Sequence, residues 1–276
     1  MNADLHCHST ASDGVLSPRD VVQRAAARGV AVLALTDHDQ LDGLQEAREA
    51  AHESGIFLID GVEISVSWRG RTLHVVGLGV NARNPALRAG LERVRSGRIE
   101  RAREMGLGLE RAGIAGAFEG ALALAKNPTM VSRTHFARYL AQCGHVAGTK
   151  DAFRHFLVPG KPGYVPHCWA QLADALHWIG DAGGRAVLAH PGRYALSAGA
   201  MEELLREFRA AGGSAIEVVS GSHSRDQYAR FGALAAQHGL AASRGSDFHG
   251  PDEGAELGSL PALDRRLRAV WSDWEV

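Results

Sequence analysis

The chain has 276 residues, of which 45% are hydrophobic and 22% charged, and its formal net charge at pH 7 is -1. This size allows one large α/β domain with a subdomain, and the near-zero charge argues against stable binding of long nucleic acids or acidic membranes. No apolar run approaches the roughly 20 residues of a membrane helix, and no secretory signal pattern precedes the first predicted strand. The three cysteines, without a CxxC pair, argue against a disulfide framework and favour a cytoplasmic location.

The first part of the chain alternates between strand and helix patterns. Ser17, Pro18 and Asp20 have the types and spacing of a helix N-terminus, and Gly29 ends that helix. Two strand-like runs joined at residues 69–71 predict a hairpin. The predicted elements are a strand over 2–7, a helix over 18–28, a strand over 30–36, a helix over 42–54, and strands over 56–67 and 72–80.

From about residue 85 to residue 159 the composition shifts to Ala, Leu, Arg and Glu with glycine interruptions, which predicts a helical insertion. We assign residues 1–95 and 160–276 to the main domain and residues 96–159 to the insertion. Strand–helix alternation then returns, and repeated βα units imply a parallel sheet, either doubly wound or closed into a barrel. These later elements are helices over 169–182, 201–211 and 224–238, and strands over 185–189, 214–219 and 240–246.

Histidines and carboxylates recur where the predicted strands end. In (β/α) barrels the active site gathers at the C-terminal ends of the strands. Imidazole and carboxylate are ligands of Zn, Mn and Fe, and this set exceeds what one ion can use. The pattern therefore predicts a cluster of two or three metal ions, whose usual chemistry is phosphate ester hydrolysis. The candidates are His6, His8, Asp13, His38, Glu63, His74, His135, His190, Asp247 and His249.

Local context gives these candidates different strengths. His6 and His8 are two apart in a strand, so both side chains point to one face. Glu63 lies inside an apolar strand, where an unpaired carboxylate is costly, so it should meet a metal ion or an arginine. Taken singly, Asp13 fits a turn with the following glycine, and His135 fits the surface of a helix.

The motifs DLHCHSTASDG, LTDHD, GVEIS, LHVVGLG, LAHPGR and GSDFHG closely resemble those of the PHP (polymerase and histidinol phosphatase) family of the amidohydrolase superfamily. The resemblance extends over the whole chain. It implies a distorted (β/α)7 barrel with a helical insertion subdomain and a trinuclear metal site. For the subgroup that the chain resembles, it implies hydrolysis of the 3′-phosphate of nucleoside 3′,5′-bisphosphates, such as adenosine 3′,5′-bisphosphate.

The resemblance also implies which residues hold each ion. The three sets are His6, His8, Glu63 and Asp247 for the first ion, Asp13, His38 and His249 for the second, and Glu63, His74 and His135 for the third. Asp13 stands where many relatives have histidine, and its harder oxygen favours Mn or Fe over Zn. We therefore expect three Mn²⁺ ions, with Fe²⁺ or Zn²⁺ as alternatives. His190 would serve either as a ligand or as the proton donor to the leaving oxygen.

Fixed cations away from the metal ions would anchor a second phosphate, with the insertion as a lid over a small nucleotide. The candidate substrate contacts are Arg133, Lys161, Arg193, Ser220 and His223. Two other activities stay open: a 5′→3′ exonuclease on short RNA or DNA, and a histidinol phosphate phosphatase. A non-enzymatic relic of a polymerase domain would lack part of the ligand set.

Overall fold

A computed structural model describes residues 1–274. The strands are β1 (Ala3–Asp4), β2 (Val32–Leu35), β3 (Phe57–Trp68), β4 (Arg71–Leu78), β5 (Ala170–Gln171), β6 (Arg185–Leu188), β7 (Ala215–Ser220) and β8 (Ala241–Gly245). Seven of them follow one another as β1-β2-β3-β4-β6-β7-β8, and β5 pairs with β3 off this path. The segment after β1 closes the sheet, because Leu5 N–H donates to Arg244 O at 2.9 Å and His8 N–H to Phe248 O at 2.8 Å. The structure confirms the predicted distorted (β/α)7 barrel.

The distortion comes from one antiparallel strand. β4 runs antiparallel to both β3 and β6, while the other neighbouring pairs of the barrel are parallel. β3 and β4 form the predicted hairpin, and its two turn residues, Arg69 and Gly70, have φ angles of 48° and 74°. Positive φ at both positions matches the right-handed twist of the flanking strands.

Helices surround the barrel and extend to one side of it. They are α1 (Pro18–Ala27), α2 (Leu44–Ser54), α3 (Pro85–Arg95), α4 (Arg98–Arg111), α5 (Ala117–Leu124), α6 (Arg133–Gln142), α7 (Thr149–Ala152), α8 (Leu172–Asp181), α9 (Ala198–Ala210) and α10 (Arg225–Gln237). Ser17 caps α1 as predicted, since its side chain accepts from the Asp20 N–H. The prediction was wrong at Ala170–Gln171, which was expected to be helical: these residues pair with Val66 and Ser67, and this pairing outweighs their local helix preference.

Three hydrophobic clusters stabilise the molecule. One lies between sheet and helices, and a second fills the barrel interior with residues such as Val32, Ala34 and Val187. The third belongs to the helical insertion, with Leu109, Phe136 and other residues between 102 and 157 at its centre. Among the helices of residues 1–274, none is long and apolar enough to cross a membrane.

Candidate metal centre

The loops after the parallel strands bring the predicted ligands to one end of the barrel. These ligands are His6 and His8 after β1, His38 after β2, His190 after β6, and Asp247 and His249 after β8. Glu63 and His74 reach the same place from the hairpin, where a β-bridge joins His38 to Glu63. Three groups of side chains form there, each with ligand atoms within 4.8 Å of one another.

The first group is the predicted one: His6, His8, Glu63 and Asp247. The Nε2 atoms of His6 and His8 lie 3.2 Å apart. Glu63 Oε2 is 3.3 Å from each of these two nitrogens, and Asp247 Oδ1 is 3.2 Å from His8 Nε2. Two imidazoles and two carboxylates facing one point form a suitable set of ligands for one divalent ion.

The second group contains the predicted residues Asp13, His38 and His249, and His8 lies within reach of them. His249 Nε2 is 3.3 Å from Asp13 Oδ1. The rings of His8 and His249 stack with centroids 4.2 Å apart. The second group therefore lies directly beside the first.

The third group differs from the prediction. It contains His38, Glu63 and His74, and His74 Nδ1 lies 2.8 Å from Glu63 Oε1. His190 Nε2 lies 3.0 Å from the same oxygen. This places His190 where the sequence analysis expected His135.

His135 belongs to no such group among the described residues. It is buried at the start of α6, where its Nδ1 accepts a hydrogen bond from the Ser132 N–H at 3.0 Å. Ser132 and His135 form a capping box, so this ring nitrogen satisfies the helix N-terminus and does not face Glu63. The spacing of Ser132 and His135 was the sequence signal for this arrangement.

The centre fits metal ions because its buried polar atoms are not satisfied by one another. Among residues 1–274, buried atoms of the centre without a hydrogen-bond partner are His8 Nδ1, Asp13 Oδ1, His38 Nδ1, Glu63 Oε2 and His190 Nδ1. Glu63 Oε2 has nitrogens of His6 and His8 at 3.3 Å and of His38 at 2.9 Å, yet it accepts no hydrogen bond. Leaving a buried carboxylate oxygen in this state is costly, so a cation is the expected partner.

Two of the ligand imidazoles and the central carboxylate already have the protonation state that metal binding requires. Burial lowers the pKa of His8 to about 3 and that of His74 to about 4, so both imidazoles are neutral and can coordinate. Burial raises the pKa of Glu63, but His74, His38 and His6 more than offset it, and the pKa lies well below its usual value. The carboxylate is therefore ionised.

Glu217 is a buried residue of the centre that the sequence analysis missed. Its Oε1 lies 2.6 Å from His6 Nδ1, and its Oε2 accepts the backbone N–H of His190 at 2.6 Å. The signal was present in AIEVVS, where a glutamate interrupts an apolar strand just as Glu63 does. A buried carboxylate in such a strand must meet a donor or a cation.

A cavity of about 770 Å³ opens beside the centre, and its lining combines the carboxylates of the ligand groups, together with Asp252 and Glu253, with a set of basic residues. Its basic lining residues are Arg98, Arg101, Arg133, Lys150 and Arg193. Burial lowers the pKa of Arg101 to about 10, with further lowering by Arg133 and Arg98. Burial also lowers the pKa of Arg133, and Arg193 adds to that effect. Arg98 pairs with the buried Asp39, although its Nε has no partner among the described residues. Arg101 and Arg133 form no ion pair within residues 1–274, so this part of the cavity favours an anionic ligand.

Of the five predicted substrate contacts, two line the cavity and three do not. Arg133 and Arg193 line the cavity, and Arg193 pairs with Asp247 Oδ2 at 2.8 Å. Lys161 is exposed in a turn and, like Ser220, is not part of the cavity lining. His223 is buried, and its Nε2 accepts the Gly192 N–H at 3.0 Å, so it supports the loop after β6.

Sequence reasoning missed several residues of this cavity. Arg98, Arg101, Lys150, Phe153 and Trp169 all line it. They belong to the insertion or to the segment that returns from it, and the chain fold alone brings them over the barrel end. An arginine on a helix has the same local pattern whether it faces solvent or a ligand, so the sequence held no signal for Arg98 and Arg101.

The barrel and its ligand groups define a metal-dependent hydrolase. The profile of the family described as "PHP domain" matches residues 4–179. The chain belongs to the PHP domain family, as its motifs predicted.

Its relatives include enzymes of phosphate ester chemistry. The chain is 54% identical over its full length to the 3′,5′-nucleoside bisphosphate phosphatase of Chromobacterium violaceum, covering 97% of that protein. It is 43% identical over 99% of its length to the 5′-3′ exoribonuclease Rnm of Escherichia coli, covering 93% of it. An amidohydrolase structure from Chromobacterium violaceum, with 54% identity, matches with a TM-score of 0.96 over 98% of this chain and 95% of that one.

A more distant structure shares the same fold. It comes from Bifidobacterium adolescentis and is assigned by name to the metal-dependent phosphoesterases. It matches with a TM-score of 0.82 and 28% identity, over 97% of this chain and 92% of that one. Together with the ligand groups, this likeness supports a metal cofactor.

Proposed function

We propose that this protein is a metal-dependent phosphomonoesterase that removes the 3′-phosphate of nucleoside 3′,5′-bisphosphates, converting adenosine 3′,5′-bisphosphate to AMP and phosphate. One observation carries the proposal: a buried set of metal ligands adjoins a cavity lined by four arginines. The two features match the two phosphates of such a substrate. The 54% identity to a phosphatase of that name supports the same assignment.

Three ions, with Mn²⁺ as the expected metal, would occupy the three groups. The proposed ligands are His6, His8, Glu63 and Asp247 for the first ion, Asp13, His38 and His249 for the second, and Glu63, His74 and His190 for the third. Bound divalent ions supply Lewis acidity toward phosphoryl oxygens and make water acidic enough to attack phosphorus near neutral pH. The short distance from His190 Nε2 to Glu63 Oε1 favours a ligand role for His190 over that of proton donor.

Arg98, Arg101 and Arg133, here called the arginine cluster, would bind the phosphate that does not react. Guanidinium groups bind phosphate bidentately and stay charged, and the burial of Arg133 strengthens such a contact. Arg193 lies between cluster and centre, since it lines the cavity and pairs with Asp247. It is therefore placed to contact the oxygens of the reacting phosphate. The anchored phosphate would hold the substrate in one orientation with the other ester at the metal ligands.

Exonuclease activity on short oligonucleotides is the second candidate. Relatives at 43% and 45% identity are named 5′-3′ exoribonucleases, and this chain aligns with them over 99% and 97% of its length. A terminal nucleotide resembles the bisphosphate with one phosphate esterified, so the same cavity could hold it. Histidinol phosphate is disfavoured because a cationic amine would meet the arginine cluster. We expect these nucleotide reactions to take place in the cytoplasm.

The test compares substrates on the Mn²⁺-loaded protein. We would measure kcat/KM for adenosine 3′,5′-bisphosphate against 3′-AMP, 5′-AMP, histidinol phosphate and a short 5′-phosphorylated RNA. A preference of about a hundredfold for the bisphosphate over 3′-AMP is expected, which corresponds to ~2.7 kcal/mol of transition-state stabilisation by the second phosphate. A higher kcat/KM for the RNA would show that the main activity is that of a nuclease. A higher kcat/KM for histidinol phosphate would refute the proposed binding of a second phosphate by the arginines.

A further inference from the structure

Glu217 connects two different ligands of the metal centre through one buried carboxylate. It lies on β7, every residue of which is buried, and only 1% of its surface is exposed. Oε1 contacts the side chain of His6, which follows β1, and Oε2 contacts the backbone of His190, which follows β6. Among residues 1–274 it belongs to no ligand group itself.

The contact with His6 fixes the tautomer of that imidazole. A carboxylate oxygen accepts hydrogen bonds, so the 2.6 Å contact assigns the Nδ1 proton to the neutral His6 tautomer that binds a metal ion. In that tautomer the other nitrogen, Nε2, has a free lone pair. It is this nitrogen that lies 3.3 Å from Glu63 Oε2 and 3.5 Å from Asp247 Oδ1. Glu217 thereby turns the coordinating side of His6 toward the ligand group.

The contact with His190 supports a backbone conformation that histidine seldom adopts. His190 has a φ of 26°, outside the regions that are favourable for residues with a side chain. Such a conformation costs free energy and persists only where neighbouring contacts hold it. The hydrogen bond from its N–H to Glu217 is such a contact, and the imidazole then reaches Glu63 Oε1.

The strand itself is adapted to present this side chain. The register of β7 against β8 shifts between Glu217 and Val219, as in a β-bulge. Bulges change the direction of a side chain and occur next to functional sites. The irregularity therefore coincides with the residue that contacts both ligands.

We propose that Glu217 is the positioning residue of the metal centre, setting the His6 tautomer and the His190 backbone so that both imidazoles face the ions. The inference rests on the proposed metal site, but its test requires no substrate. Hydrogen-bonded partners of metal-binding histidines typically change metal affinity by about 10- to 100-fold when removed. A purely structural role would lower stability and leave metal affinity unchanged.

The first measurement uses the wild-type protein, so it does not depend on a variant folding. The full chain is labelled with ¹⁵N-histidine and loaded with Zn²⁺, which is diamagnetic, and the His6 signals are assigned by comparison with His6→Asn. We expect Nδ1 of His6 to carry a proton, shifted downfield and slow to exchange, with Zn²⁺ on Nε2. A proton on Nε2, with the metal on Nδ1, would overturn the proposal.

The second measurement compares Glu217→Gln with Glu207→Gln. Glu207 is the matched control, because it also accepts a ring N–H at 2.6 Å, from Trp68 Nε1, but on α9 outside the barrel. Mn²⁺ affinity, followed by EPR of the free ion, should fall about 10- to 100-fold in Glu217→Gln and stay within twofold in the control. If both variants lose thermal stability but keep wild-type affinity, Glu217 only supports the fold.

These outcomes separate the inference from the proposed function. A protein that cleaves no nucleotide yet loses Mn²⁺ affinity on Glu217→Gln would refute the substrate assignment and leave the positioning role intact. If the protein cleaves the bisphosphate and Glu217→Gln keeps wild-type Mn²⁺ affinity, the substrate assignment stands and the positioning role of Glu217 is refuted.

Discussion

The hydroxyl of Ser132 donates a hydrogen bond to Asp13 Oδ2 at 2.8 Å, which joins the helical insertion to the second ligand group. The same hydroxyl accepts the Thr134 N–H at 3.1 Å and so caps α6. A second, partly buried link lies nearby, where Arg138 of α6 donates to Glu253 at 2.7 Å. Docking of the insertion and orientation of Asp13 are therefore linked, and one side chain takes part in both.

Replacing Ser132 by alanine should weaken both functions of this side chain. Loss of the cap should cost about 1 kcal/mol of unfolding free energy. Loss of the bond to Asp13 should lower Mn²⁺ affinity at the second group by about tenfold, because a ligand carboxylate would lose its orienting donor. Equilibrium dialysis with metal analysis measures the affinity, and urea denaturation measures the stability.

Ser197→Ala is the matched control for this variant. Ser197 caps α9 in the same way, accepting from the Ala200 N–H, but it lies in a helix outside the barrel. It should lose similar stability and keep full Mn²⁺ affinity. Equal affinities in the two variants would show that the Ser132–Asp13 bond has no influence on metal binding.

The stability of the metal-free protein should be greatest near pH 6.5 and fall on both sides. Burial lowers the pKa of His249, but the Asp13 carboxylate more than offsets this and raises it to about 9. A raised histidine pKa stabilises the fold below pH 6.5, and this contribution is lost as pH rises toward 9. Burial lowers the pKa of His8 to about 3 and of His74 to about 4, so their contribution, present above pH 6.5, is lost as pH falls toward 4.

Bound Mn²⁺ should offset the loss of stability that the metal-free protein shows above pH 6.5. Coordination requires neutral His249, so Mn²⁺ affinity should rise with pH up to about 9. The increase in Tm on adding Mn²⁺ should therefore be larger at pH 8.5 than at pH 6.5, and His249→Gln should flatten the alkaline decline of the metal-free protein. Thermal denaturation with EDTA or Mn²⁺ checks both statements, and a metal-induced increase that shrinks with pH would contradict them.

The sequence predicted the framework of the centre because strand periodicity is local. Apolar runs located the strands, and the strand ends then placed residues such as His6 and Asp247 together. The other positions depend on contacts between residues that are distant in the sequence or on backbone conformation. His190 approaches Glu63 through a backbone with positive φ, and His135 is held by the capping box of α6, and neither arrangement follows from hydropathy. Arg98 joins the cavity because the insertion folds back over the barrel.

Replacing Arg133 by alanine should remove the advantage of the second phosphate. For adenosine 3′,5′-bisphosphate we expect kcat/KM to fall about a hundredfold, while kcat/KM for 3′-AMP changes by less than about threefold, since 3′-AMP has no 5′-phosphate to bind. Arg103→Ala is the control, because Arg103 is an exposed arginine of α4 that packs on Phe118 and does not line the cavity. An equal loss with both substrates would place Arg133 at the reacting phosphate. Lys161→Ala should have no effect, since Lys161 is exposed outside the cavity lining.

Replacing Gly245 by alanine should disturb the centre through packing alone. A Cβ at Gly245 would lie 2.3 Å from the Cβ of His6 and 2.8 Å from its backbone nitrogen, so β8 and the segment after β1 would have to separate. Overpacking of this kind costs about 1–3 kcal/mol. Because His6 is the neighbour that must move, Mn²⁺ affinity should fall together with Tm. Gly199→Ala on α9 meets no atom within 4 Å and should leave affinity unchanged while slightly raising Tm. A Gly245→Ala protein with lower Tm but wild-type Mn²⁺ affinity would show that His6 keeps its place when the backbone beside it shifts.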